Sequence, residues 1–286
     1  MSPFQPKHIL CPTDFSEHSA AALRVAGGVA KAFGAKVVVL HAQRLEVPVY
    51  FTKAQTQALK AQLRRSARAA RDFVSSFATQ HLPEGVEHSV LLVEDDPVQA
   101  VLAALKDLRA GLVVMGTHGR TGLARIRLGS VMESVLRQVA VPVLTVGPRI
   151  KPSASLTNLR RLLCPVNYSD LAWIAFEHAV SLAGKTGAEL TVAHVLENAP
   201  GIDEKTSLQE LCDWVPADIR SRCTVKELVK QGSAAEQIVA QAKDSRADLI
   251  VVGAHPRSFL GTVLFGSTTE LVIRNAPCPV LSVIRR

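Results

Sequence analysis

The chain has 286 residues, 48% hydrophobic and 20% charged, with a net charge of +8 and a pI near 9.5. That length suits two domains, each able to bury its own core. No apolar run reaches the roughly 18 residues of a membrane helix, so no membrane partner is expected. The N-terminus, MSPFQPKHILC, lacks a charged-then-apolar leader, and a cytoplasmic location is the expectation. Aromatic residues make up only 5%, which gives little support to stacking on single-stranded nucleic acid. The arginines Arg64, Arg65, Arg68 and Arg71 read as a solvated helix face rather than a nucleic-acid patch. The five cysteines are scattered and suit reduced thiols, with Cys11 and Cys164 as small buried hydrophobes.

In chain order, residues 7–11 read as a strand. Ser16 is placed as the N-cap of a helix through Phe33, and Gly34 as its left-handed stop. Lys36 to His41 form a second strand, residues 52–79 a helix and Val86 to Val93 a third strand. Pro97 opens a helix to about Leu108. The buried run Leu112 to Met115 ends at Gly116 and enters a loop holding Gly119 and Gly122. Gly129-Ser130 then opens a helix with Val131, Val135 and Val139 near one face, and residues 141–146 form a last strand. Alternating strands and helices imply an open, mostly parallel five-stranded sheet covered on both faces. Ligands of such sheets sit beyond the carboxyl ends of the strands, where Asp14, His41, Asp95 and Gly116 fall.

A glycine-rich loop that opens a helix suits phosphate, because backbone N–H groups point outward and missing Cβ atoms permit close approach. Arg120, Arg125 and Arg127 add positive charge to this loop. The pattern then recurs. A constant offset of 137 residues carries Gly116 to Gly253 and Gly129-Ser130 to Gly266-Ser267. Residues 9–16 and 35–42 recur at an offset of 153, so the second copy is shorter between its second and third strands. The expected units are residues 1–148 and 156–286, joined by a linker over 147–158. The shortened helical segment lies around residues 203–213.

Gly116-Thr117-His118-Gly119, nine residues, then Gly129-Ser130 is the pattern Gly-x2-Gly-x9-Gly-Ser, and here the chain resembles the universal stress protein family in tandem form. The resemblance covers nearly the whole chain and implies a Rossmann-like, adenine nucleotide alpha hydrolase-like fold. It implies binding of ATP, ADP or AMP, with Mg2+ able to accompany the phosphates, in a regulatory stress response without catalysis. The implied contacts are Pro12, Thr13, Asp14 on the ribose, main chain around His41 on the base, and Thr117, His118, Arg120, Ser130 and Val131 beside the glycines. In the second half the corresponding set is Asn167, His194, Gly232, Gly253, Gly266 and Ser267. There Asn167 replaces the aspartate and Pro256 the second glycine, so the first half is expected to be the better site. Asp95 stands where the family often has glycine, which suits ribose better than phosphate. The family also implies pairing through each half's last strand, between the halves and between two chains as a homodimer.

Two rival readings stay open: slow ATP hydrolysis at the same loop, with Asp14 and Asp95 as candidates to position a metal and orient water, and a nucleotide-free interaction scaffold. The near-match to a P-loop at Gly184-Lys185-Thr186 lacks the first glycine and ends a helix capped by Gly187. His118 and His255 recur at matched positions without a local acid or nucleophile, which favours a structural or phosphate-contacting role.

Overall fold

The computed structural model describes residues 4–43, 52–119, 128–150, 156–197, 201, 203–254, 256–259 and 262–284; at 53–56, 58–67, 157, 256–259 and 262–265 it describes the backbone alone. Arg120, Arg125, Arg127, Gly122 and His255 lie outside the described residues. The first half runs β1 (His8–Pro12), α1 (Glu17–Phe33), β2 (Lys36–Ala42), α2 (Lys53–His81), β3 (His88–Val93), α3 (Pro97–Asp107), β4 (Leu112–Gly116), α4 (Ser130–Gln138) and β5 (Val143–Val146). The second runs β6 (Arg161–Val166), α5 (Asp170–Thr186), β7 (Glu189–Leu196), α6 (Glu204–Trp214), α7 (Ile219–Arg222), β8 (Val225–Gln231), α8 (Ala234–Asp244), β9 (Leu249–Gly253), β10 (Pro256–Phe259), β11 (Thr262–Phe265), α9 (Ser267–Asn275) and β12 (Val280–Val283).

Local signals set the helix ends. The Ser16 side chain accepts from the Ser19 amide, and Gly34 stops α1 at φ 64°. Asp96 caps α3 through the Val98 and Gln99 amides, with Pro97 at the first helical position. Gly187 ends α5 at φ 71°, so the apparent P-loop residues are the last turn of a helix. Helix α6 has 11 residues against 29 in α2, the shortening that the two offsets require. Strand β3 starts later than expected because Gly85 turns at φ 78° and the Val86 amide closes on the Pro83 carbonyl.

Ten strands form one sheet in the order β3-β2-β1-β4-β5-β12-β9-β6-β7-β8. Each half contributes five parallel strands, and the halves join where β5 pairs antiparallel with β12, Leu144 opposite Leu281. Thr145 Oγ1 crosses this seam to the Val280 carbonyl at 3.2 Å. The pairing expected between the last strands is thus made inside one chain. It consumes both edges, so two chains would have to pair through a different surface.

The alternation of strand side chains divides the core in two. Ile9, Cys11, Val37, Val39, Leu112 and Val114 face α1, α2, α5 and α6. Leu10, Val38, Leu40, Val113 and Met115 face α3, α4, α8 and α9. Each fully buried Leu or Ile contributes about 1.5–3 kcal/mol. Cys11 and Cys164 lie in the first layer, and burial raises both thiol pKa values far above the usual range.

Three expectations need correction. The stretch expected as a linker contributes to the core: Leu156 and Leu159 are buried against α1, around a 3-10 turn at Leu156–Asn158. Residues after β9, read as loop, form the hairpin β10–β11, with Pro256 paired to Phe265. The apolar stripe of α4 is Met132, Val135, Leu136 and Val139, while Val131 is only half-buried. The N-terminus also ties the halves together. Phe4 packs on Phe33 and His178, and its carbonyl accepts from Ser181 Oγ at 3.2 Å.

Candidate functional site

In the first half β4 lies beside β1 on the side opposite β2, and the chain changes winding direction there. At that point a cleft opens on the α3/α4 side, enclosing about 740 Å3 with its mouth included. Its walls bring together Pro12, Thr13 and Asp14 after β1, Gly116 to Gly119 after β4, and Gly129 to Met132 at the start of α4. Residues from three separated parts of the sequence therefore share one cavity.

The first amides of α4 supply the polar end. Glu133 donates to the Gly129 carbonyl, the first bond of the helix, so the amides of Ser130, Val131 and Met132 have no acceptor within it. All three residues line the cleft. The Gly129 amide is already used, donating to the Thr117 carbonyl at 2.8 Å, and Thr117 in turn donates to Val146 at 3.0 Å. These two bonds hold Thr117 between the end of β5 and the helix start.

The glycines serve different ends. A Cβ on Gly119 would lie 2.9 Å from Asp14 Oδ2, so the carboxylate rests against the Gly119 backbone. Asp14 Oδ1 accepts from the Ser16 amide at 3.1 Å and its hydroxyl at 2.6 Å, which fixes the carboxylate's direction. At Gly129 a Cβ would meet the Thr117 carbonyl at 3.3 Å. At Gly116 it would meet the main chain of His18 at 3.1 Å, on α1. Gly116 therefore allows a helix to approach a strand, and it also lines the cleft.

His118 lines the cleft with Nδ1 2.9 Å from Thr117 Oγ1. The His18 ring centroid lies 5.7 Å from that of His118. Burial first, and then the nearby His118, lower the pKa of His18, while Asp14 and Glu17 oppose the shift.

Some expected contacts fall elsewhere. The strand end around His41 lies at the cleft through Leu40 and Ala42, while the His41 side chain points to the other face of the sheet. Its Nδ1 donates to the Thr13 carbonyl at 2.9 Å, and its ring packs on Phe15 at 4.5 Å. His194 repeats this on Val166 and Tyr168 at the same distances, and it too lies outside the second cleft. Asp95 is exposed, accepts from the Asp96 amide and does not line the cleft. Gly232, at φ 124°, packs against Gln237 away from the second cleft. Asn167 and Gly253 line that cleft, but beside α9 the lining residues are Thr268 and Thr269 instead of Gly266 and Ser267. Ser19, Pro97, Val101 and Met115 line the first cleft and were not expected there. For Met115 the period-2 pattern of β4 carried the signal; Pro97 and Val101 come from α3, whose placement over the cleft is tertiary. Among the described residues no group of three metal-ligating side chains occurs, and no helix is long and apolar enough to cross a membrane.

A model of the universal stress protein family matches residues 6–147 and again 158–283. A universal stress protein of Thermus aquaticus is 35% identical over 49% of this chain and 98% of its own length. One from Mycolicibacterium smegmatis is 26% identical over 96% of both chains. The crystal structure of a universal stress protein from Archaeoglobus fulgidus aligns over 99% of this chain and 100% of its own, with a TM-score of 0.74 at 25% identity. The two matches flank the segment holding Leu156 and together span both sets of five strands, so the chain belongs to the universal stress protein family as a tandem member.

Proposed function

We propose that the first cleft binds ATP or a related adenine nucleotide and that occupancy, not turnover, is the protein's output. The observation that carries this reading is the convergence of the three open amides of α4 with the Asp14 carboxylate across one cleft. A phosphate takes the amides and the positive end of the helix dipole, and each charge-assisted bond contributes about 1.5–3 kcal/mol. Asp14, held by Ser16 and resting against Gly119, suits a ribose hydroxyl. Leu40, Val101 and Met115 give the base an apolar floor. A Mg2+ ion would be brought by the phosphates; among the described residues Asp14 is the carboxylate that lines the cleft.

The test is to denature freshly purified protein, identify released small molecules, and titrate the emptied chain with ATP by calorimetry. One nucleotide held in the first half, with affinity reduced in Asp14→Ala, is expected. No released nucleotide and no ATP heat would leave the scaffold reading in its place. Magnesium-dependent ADP formation that disappears in Asp14→Asn would turn the protein into an enzyme.

A further inference from the structure

We propose that the second half binds a small organic cation with an aromatic body, in a cavity between α5 and the segment Pro216–Arg222. The cavity shares no lining residue with either cleft. It encloses about 920 Å3 with its mouth included, within the roughly 300–1,000 Å3 of small-molecule pockets. Phe4, Trp173 and Phe176 form its aromatic wall, with Val180 and Ile219 beside them.

The two halves show why space is left here. In the first, Gly27 of α1 lies so close to the chain after α2 that a Cβ would collide with the Pro83 ring. The offset of 153 puts Val180 at that position of α5. A branched side chain cannot accept so close an approach, so the segment leading into β8 stands off α5 and the two line a cavity. The same offset replaces Ala20 by Trp173. Trp173 packs edge-on against Trp214 of α6 at 5.1 Å and lies 5.6 Å from Phe176. These ring contacts hold the wall in place before a ligand arrives, which lowers the ordering cost of binding.

The charge also changes sign between the halves. In the first, Arg24 Nη1 of α1 lies 3.2 Å from His81 Nδ1 of α2. The offsets of 153 and 137 carry this pair to Glu177 and Asp218, so two carboxylates line the cavity. Neither takes a hydrogen bond or an ion pair from a described residue. Arg222, exposed and one helical turn beyond Asp218, also lines the cavity without pairing to either acid. His178 Nδ1 donates to the Ile174 carbonyl at 2.8 Å, which leaves Nε2 an acceptor in the neutral ring, the form that burial favours. An ammonium group suits the two carboxylates and the face of Trp173, and an aromatic body suits Phe4 and Phe176. A divalent metal suits the lining poorly, because it takes six or more oxygen ligands and the walls here are aromatic.

Trp173 and Trp214 are the two tryptophans of the chain, so its intrinsic fluorescence reports on this cavity. Full-length protein is titrated at neutral pH with 2-phenylethylammonium and with its neutral and anionic counterparts, 2-phenylethanol and 3-phenylpropionate, by fluorescence and calorimetry. The cation is expected to bind about tenfold tighter than the alcohol, and the anion more weakly than either. Glu177→Gln and Asp218→Asn should each weaken the cation about three- to tenfold and leave the alcohol unchanged, and the double variant should erase the preference. If the double variant melts early, amide exchange on the parent chain replaces it, with the cation slowing exchange over residues 173–180 and 216–222. A flat titration with the cation, equal affinity for cation and alcohol, or a preference for the anion overturns the proposal. So does a double variant as selective as the parent, or exchange slowed only elsewhere in the chain.

Discussion

Replacing Gly116 by alanine tests which job that glycine does. The new Cβ would sit 3.0 Å from His18 Cβ and 3.1 Å from the His18 carbonyl carbon and oxygen. Carbon atoms in ordinary contact stay about 3.5–4.0 Å apart, so helix α1 must retreat by about 0.5 Å. The obstacle is helix backbone, which cannot rotate away as a side-chain tip can. Overpacking of this kind costs about 1–3 kcal/mol, and the lower entropy of the unfolded alanine chain returns about 0.4–1 kcal/mol. The net loss, about 0.5–2 kcal/mol, corresponds to a fall in Tm of about 1–8 °C for a domain of 150–250 residues. Gly253→Ala meets Leu171 at 3.0–3.1 Å and should cost a similar amount. Thermal unfolding of both variants, followed by circular dichroism, reads the effect directly. An unchanged or higher Tm in Gly116→Ala, together with lost ATP binding, would refute the packing argument and return this glycine to the ligand.

Gly119→Ala behaves differently, because its Cβ meets the Asp14 carboxylate rather than a helix: ATP affinity should fall about tenfold, on the scale of one charge-assisted bond, with Tm nearly unchanged, and an unaltered calorimetric titration would count against the Asp14 assignment. Arg109 and Arg246 hold φ 46° and 51° just past α3 and α8, so Arg109→Gly and Arg246→Gly should each stabilise by about 1 kcal/mol, checked by denaturant midpoint. Burial is the first cause of a lowered pKa at His18, His81 and His178, relative to an ordinary value of 6.5. The unfolded chain therefore takes up protons that the folded chain resists, and stability should fall as pH drops through 6.5 and stay level above it. A Tm that holds or rises from pH 7.5 to 5.5 contradicts this, and His178→Gln should flatten the slope. At the seam, Leu281→Ala removes a side chain 1% exposed opposite Leu144, with an expected loss of about 2–5 kcal/mol and earlier proteolysis between the halves.

Much was legible in the residues. Ser16, Gly34, Pro97 and Gly187 fixed helix ends because each acts within a few residues: a side chain meeting nearby amides, a left-handed glycine, or a preset φ. The two offsets, 137 and 153, showed the duplication and the short α6. Spacing of the glycines located the loop that turns into α4. Other features depended on packing between distant segments. That Gly116 answers to His18 required α1 and β4 to lie side by side, and neither composition nor spacing contains that distance. The His41 side chain turns to the far face, because a one-residue step reverses direction in a strand, while Leu40 and Ala42 beside it line the cleft. The burial of Leu156 and Leu159 follows from α1 offering an apolar surface where β5 leaves the sheet, which no linker composition reveals. Repetition in the chain foretold two alike halves; only the antiparallel meeting of β5 with β12 made them one sheet, because unpaired backbone at both edges is satisfied there at once.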